Sequence, residues 1–161
     1  MQTHVQRFSV TSAKPFETVV NTLEAAVGHP DLSAFEREVA ATRTRSEMEQ
    51  VVHRSIGTSG LMEFVRFDIG EFLHKGRGTG APRALRFLIG NPLIMRQMVV
   101  HVPDAASYAP VTILIDERAD GVHLSYDQMA GFLAPYGNPE ALMVARDLDA
   151  KIEALLNTAA N

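Results

Sequence analysis

The chain has no cysteine among its 161 residues. Disulfide staples, thiolate metal sites and cysteine nucleophiles are therefore excluded, and the redox compartment is left open. A basic run is missing too. The net charge of −4 comes from 15 Lys and Arg set against 19 Asp and Glu, so the chain lacks the electrostatic footprint of a nucleic-acid binder, and charge favours no class of partner. No apolar run approaches the roughly 20 residues that span a bilayer, and no membrane association is expected. The first ten residues, MQTHVQRFSV, alternate in polarity around one Arg instead of placing a basic stretch before an apolar block, unlike a signal peptide. The expectation is a soluble, cytoplasmic protein.

What is present describes an ordinary folded domain. Apolar residues make up 46% of the chain and charged residues 21%, near the averages for globular proteins. The length suits a single domain over 1–161, with no linker-like break and no tandem repeat. HVQRFSV reads as a first strand, and Phe16, Val19, Val20, Leu23 and Val27 recur at helical spacing up to Gly28. Residues 33–56 are again helical in period, with ATRTRS kinking or splitting the element. LMEFVRFD reads as a strand followed by a short helix, and KGRGTGAP as a mobile glycine loop holding Gly76, Gly78 and Gly80. ALRFLIG is a third strand. In VTILIDERADGVHLSYD the Asp120-Gly121 pair signals a two-residue hairpin. That register puts Ile115 opposite Tyr126, Arg118 opposite His123 and Asp116 opposite Ser125, with the large apolar residues except Leu114 on one face. A helix from Pro139 to Leu156 carries the stripe Leu142, Ala145, Leu148, Ile152, Leu155 and Leu156. These elements give α+β: one mainly antiparallel sheet of about five strands, helices on one face, and a long C-terminal helix.

Gly90-Asn91-Pro92 and Gly137-Asn138-Pro139 repeat one triplet in front of two helical stretches. Asn caps by accepting a hydrogen bond from a free backbone N–H, and Pro at the first helical position gives up an N–H that has no partner there. A phosphate cradle would need a glycine-rich loop with Lys or a G-x-G-x-x-G, and neither is present.

Chemistry-bearing side chains are sparse. Glu71 and His74, three apart, and Glu49 and His53, four apart, share helical faces. H-E-x-x-H is missing, and a dimetal bundle would need a second Glu-x-x-His helix. Asp68, Glu71 and His74 beside the glycine loop, or Asp116 and His123 on the polar hairpin face, are the candidates for a metal-dependent or acid–base enzyme. His101 is expected to bond the last carbonyls of the helix after Pro92. Met95, Met98, Met129 and Met143 suit core filling or an adaptable pocket.

Three ordered stretches, LRFLIGNPLIMRQM, SYAPVTILIDERADGVHLSYD and VARDLDAKIEALL, together resemble the family catalogued as domain of unknown function 302. The resemblance covers residues 60–157, with 28–58 longer than the usual connection and a possible helical insertion. It implies a TATA-binding-protein-like arrangement with a curved sheet, a C-terminal helix packed against it and a homodimer, and it implies no activity or cofactor. The expectation is a non-enzymatic homodimeric binding domain holding a small, partly apolar ligand between sheet and C-terminal helix. Phe87, Ile113, Ile115 and Tyr126 are expected to line that space, with Asn91 and Tyr108 as polar points. The rival readings are the enzyme above and a purely structural dimer subunit.

Overall fold

The computed structural model describes residues 2–76 and 80–161. Five strands pair antiparallel in the order β1-β5-β4-β3-β2: β1 Arg7–Ser12, β2 Met62–Asp68, β3 Ala84–Gly90, β4 Val111–Arg118 and β5 Gly121–Asp127. Helix α1, Phe16–Ala26, follows β1, and α2, Leu32–Ala41, and α3, Arg45–Ser55, precede β2. Short α4, Ile69–His74, leaves β2, α5, Pro92–Val99, leaves β3, α6, Met129–Leu133, leaves β5, and α7, Pro139–Ala160, closes the fold. The α+β class, the antiparallel sheet and the long final helix agree with the sequence reading. The continuous period over 33–56 resolves into two helices because Thr42 ends α2 in extended backbone and Thr44 opens α3 with a capping box to Glu47.

One core lies between the inner face of the sheet and the helices. Phe16, Val19, Val20 and Leu23 from α1 meet Phe87, Ile89, Ile113, Ile115, Leu124 and Tyr126 from the sheet, while Ala145, Leu148, Ile152 and Leu156 come from α7. Spacing on α7 follows the expected stripe except at its first turn, where Ala141 is fully buried and Leu142 half-buried. At the β2 edge Gly28 pairs with Met62, and its Cβ position is only 1.9 Å from the Ser55 carbonyl oxygen, so a side chain is excluded there.

The hairpin is offset from its predicted register. Arg118 pairs with Gly121, Asp116 with His123, Leu114 with Ser125 and Ile113 with Tyr126. The loop residues are thus Ala119-Asp120, and Gly121 becomes the first residue of β5 at φ 137°, with its Cβ position 2.6 Å from the Ser12 carbonyl oxygen. The two-residue offset preserves the faces, because side chains alternate with period two. It changes the neighbours: His123 lies across from Asp116, not Arg118.

Gly78 of the glycine loop lies outside the described residues. Gly76 and Gly80 on either side of it have φ of 89° and 112°.

Candidate functional site

The Gly90-Asn91-Pro92 joint is where β3 turns into α5. Asn91 Oδ1 accepts the Leu93 N–H at 2.8 Å and its Nδ2 donates to the Gly60 carbonyl at 2.9 Å. Asn138 repeats the cap at α7, accepting the Ala141 N–H at 2.9 Å. Capping therefore accounts for both triplets. The structure adds a cavity of about 90 Å³ beside the first one, bounded by Phe64, Ile94, Met95, Met98, Pro110 and Leu148, with Gly90, Asn91 and Val111 at its edge. It sits between the end of the sheet, α5 and α7, and its walls are almost wholly apolar. Both polar groups of Asn91 are committed to backbone partners, so the cavity offers shape and apolar contact in place of hydrogen bonds.

Of the expected lining residues, Asn91 borders this cavity. Tyr108 is elsewhere: its ring stacks on Phe132, centroids 4.8 Å apart and planes at 9°, and its Oη lies 3.1 Å from Tyr136 Oη. That hydrogen bond is the main cause holding the Tyr136 phenol above its usual range. Phe87, Ile113 and Ile115 are 0% exposed and Tyr126 1%, all within the core cluster. At these four positions the space between the sheet and the helices is filled by the side chains themselves. Alternating apolar residues mark a buried face whether it meets a ligand or a neighbouring helix, so pattern alone does not separate the two. Met95 and Met98 border the cavity, Met129 is buried and Met143 is exposed.

Tyr126 has a different task. Its hydroxyl donates to Asp149 Oδ1 at 2.5 Å; the Met129 N–H donates to the same oxygen at 2.7 Å and the Ala130 N–H to Oδ2 at 3.0 Å. Asp149 on α7 thus caps the first turn of α6 from below. Burial pushes its carboxyl pKa up, and the tyrosine and amide donors oppose that shift. Tyr126 is pushed up too, mainly by burial and then by the Asp149 charge. Sequence reading passed over Asp149, although its place four residues after Ala145 and three before Ile152 puts it on the apolar face of α7 and is the one local signal of its burial.

The candidate chemical groups do not assemble into one bonded set, although Asp68 Oδ1 and His74 Nε2 flank Gly70, 3.0 and 3.6 Å from its Cβ position. Asp68 caps α4, accepting the Glu71 N–H at 3.1 Å, and Asp68, Glu71 and His74 are all exposed. Asp116 is held by Arg118 at 2.6 Å, while His123 Nε2 is 2.8 Å from Asp120 Oδ1, a contact that lowers the Asp120 pKa. Glu49 takes Arg45 at 2.6 Å. Among the described residues no three His, Asp or Glu side chains form a metal-holding group. His101 lies beyond the end of α5, whose last carbonyls accept backbone N–H groups instead: Val100 donates to Arg96, and His101 and Val102 donate to Met98.

An open five-stranded antiparallel sheet with helices filling its inner face, and an apolar cavity at the sheet–helix joint, define a small α+β domain. The chain belongs to the family described as Domain of unknown function DUF302, whose model matches residues 35–159. It is similar in fold to a crystal structure titled "uncharacterized conserved protein DUF302 from Bacillus stearothermophilus", with 10% identity, TM-score 0.64, and coverage of 95% of this chain and 97% of that one. None of the curated proteins matches the chain. No helix among the described residues is long and apolar enough to cross a membrane.

Proposed function

We propose that the chain is a homodimeric binding domain that takes the apolar end of a small ligand into the cavity beside Gly90. The observation that carries this reading is the cavity itself, about 90 Å³ of almost entirely apolar space partly open to solvent, a concave apolar site of the kind small molecules use. Lined by Met95, Met98, Ile94 and Leu148, it suits a short alkyl or branched hydrocarbon group. The methionines let the walls adapt to the guest.

Support for the dimer is three exposed apolar side chains close in sequence on β2 and α4: Phe67 is 43% exposed, Phe72 79% and Leu73 44%. Exposed apolar groups of this size suit a partner interface, and a second copy is the partner in this reading. Sedimentation velocity of the purified protein at micromolar concentration is expected to give a dimer mass. A monomer at every concentration would remove that half of the proposal.

Gly90→Ala tests the cavity. The added methyl would sit 3.4 Å from Pro110 Cβ and 3.6 Å from Phe64 Cε2, ordinary contact distances, and Gly90 is not a positive-φ glycine. The variant is expected to melt within a few degrees of the parent, while 1-butanol titrations followed by methyl NMR lose the saturable shifts of Met95 and Met98 seen in the parent. Equal shifts in both proteins, or none in the parent, would reject the cavity as the site.

A further inference from the structure

We propose that the outer face of the sheet, turned away from the core, holds a second site, for a small aromatic carboxylate, whose ring packs against the Tyr108–Phe132 pair and whose carboxylate is held by Arg86. The site shares only the Ala109–Val111 segment with the cavity at Gly90, and its argument starts from how the arginines around the sheet are used. Arg7 holds Asp127, Arg66 holds Glu63 and Glu24, Arg83 holds Glu17 and Glu117, and Arg118 holds Asp116. Arg86 differs. Among the described residues it has no carboxylate partner, and its guanidinium lies 5.8 Å from the centroid of the Phe67 ring, within reach of a cation–π contact that favours one orientation of the group.

Arg86 opens onto a groove of about 390 Å³, whose lining includes Leu88, Thr112, Tyr108, Phe132 and Asp127. Leu88 and Thr112 pair across β3 and β4 and form a floor that is half apolar, half hydroxyl. Stacked on each other, Tyr108 and Phe132 form a rigid aromatic pair at the groove, and the Tyr108–Tyr136 hydroxyl contact ties that pair to the turn after α6. Asp127 does not answer Arg86, because Arg7 takes both its oxygens, at 2.6 and 2.9 Å. One positive charge is therefore left over in the groove, and it belongs to a group whose planar fork matches a carboxylate. A single unmatched cation selects a monoanion. A phosphate dianion would need a second cation, and Arg7 is already engaged. The volume falls in the range of small-molecule sites, and the aromatic pair favours a ring over a flexible chain, because a ring packs stacked or edge-on against aromatic neighbours and loses little conformational entropy on binding.

The probe is 2-naphthoate, titrated into the full chain by calorimetry at low salt. Saturable binding with one site per chain is expected. Arg86→Gln, at an exposed position facing away from the core, is expected to leave the melting temperature in place and to weaken binding by about tenfold or more, the scale of losing a charge-assisted pair. The neutral isostere 2-naphthamide should lose a similar factor against the parent, and Gly90→Ala should bind 2-naphthoate as the parent does. Absence of saturation up to millimolar probe, equal affinity in Arg86→Gln, or loss of binding in Gly90→Ala with retention in Arg86→Gln would each overturn the proposal. The last result would place the naphthoate in the other cavity instead.

Discussion

Asp149→Ala lowers the stability of this domain by about 2–4 kcal/mol, the expected cost of orphaning two buried donors at ~1–3 kcal/mol each, less the relief of no longer desolvating a carboxylate. The Tyr126 hydroxyl and the Ala130 N–H lose their acceptor outright. Met129 is partly spared, since its N–H also lies 3.1 Å from Tyr126 Oη. For a chain of this length the melting temperature should fall by on the order of 10 °C. Local consequences follow as well, because α6 has only five residues and its first-turn amides are capped by α7. Hydrogen exchange at Ala130 should accelerate more than exchange in β4. A melting temperature within a degree or two of the parent would show that the carboxylate is dispensable.

The same residue gives a signed pH effect. Burial raises the Asp149 pKa in the folded state, so the folded protein binds this proton more tightly than the unfolded chain does. Its contribution is then greatest below the ordinary carboxylate range and declines as pH rises through the raised value. The stability difference between the parent and Asp149→Asn should therefore shrink, in the direction of the Asn variant, as pH rises from that range toward neutrality. A difference that is flat with pH, or that grows in the parent's favour, would contradict the raised pKa.

Phe87→Ala is expected to cost about 3–5 kcal/mol, the range for removing a fully buried aromatic ring from a packed core. Phe87 is 0% exposed, faces Ile113 across the sheet and has the Arg66 guanidinium 4.8 Å from its ring centroid. Arg66 is in turn paired with Glu63 at 2.8 Å and with Glu24, so the ring also supports a charged cluster joining β2 to α1. Truncation leaves a cavity and an unsupported guanidinium together. Chemical denaturation would show the loss as a lower midpoint with an unchanged slope. A ligand-lining residue behaves otherwise: its removal weakens binding and leaves the midpoint nearly in place. A shift under about 1 kcal/mol would therefore reopen the reading of Phe87 as a pocket wall.

Much of the fold was legible because the signals were local. Asn91-Pro92 and Asn138-Pro139 announce helix starts through cap chemistry that acts within three residues, and both caps form. The β4–β5 faces were readable because alternation survives any even offset. Register within that hairpin was not, since the close approach of Ser12 to Gly121 arises only once β1 lies beside β5. The candidate site was less legible for a similar reason. Phe87, Ile113 and Ile115 carry the same apolar pattern whether a helix or a ligand covers them, and here they are packed into the core shared with the helices. Arg86 looked like any exposed strand residue until the partners of Arg7, Arg66, Arg83 and Arg118 were known.

By itself the sequence determined the α+β class, the starts of α5 and α7, the buried faces of β3, β4 and β5, and the family, because periodicity, capping and turn chemistry operate over a few residues. Only the tertiary structure decided that Tyr126 and Asp149 form a buried pin, that the space under α7 is packed while a cavity opens beside Gly90, and that one arginine of the sheet has no carboxylate partner among the described residues. Those outcomes depend on side chains far apart in the chain meeting at contact distance, where volume left unfilled and charge left unmatched are properties of the assembled packing and of no single segment.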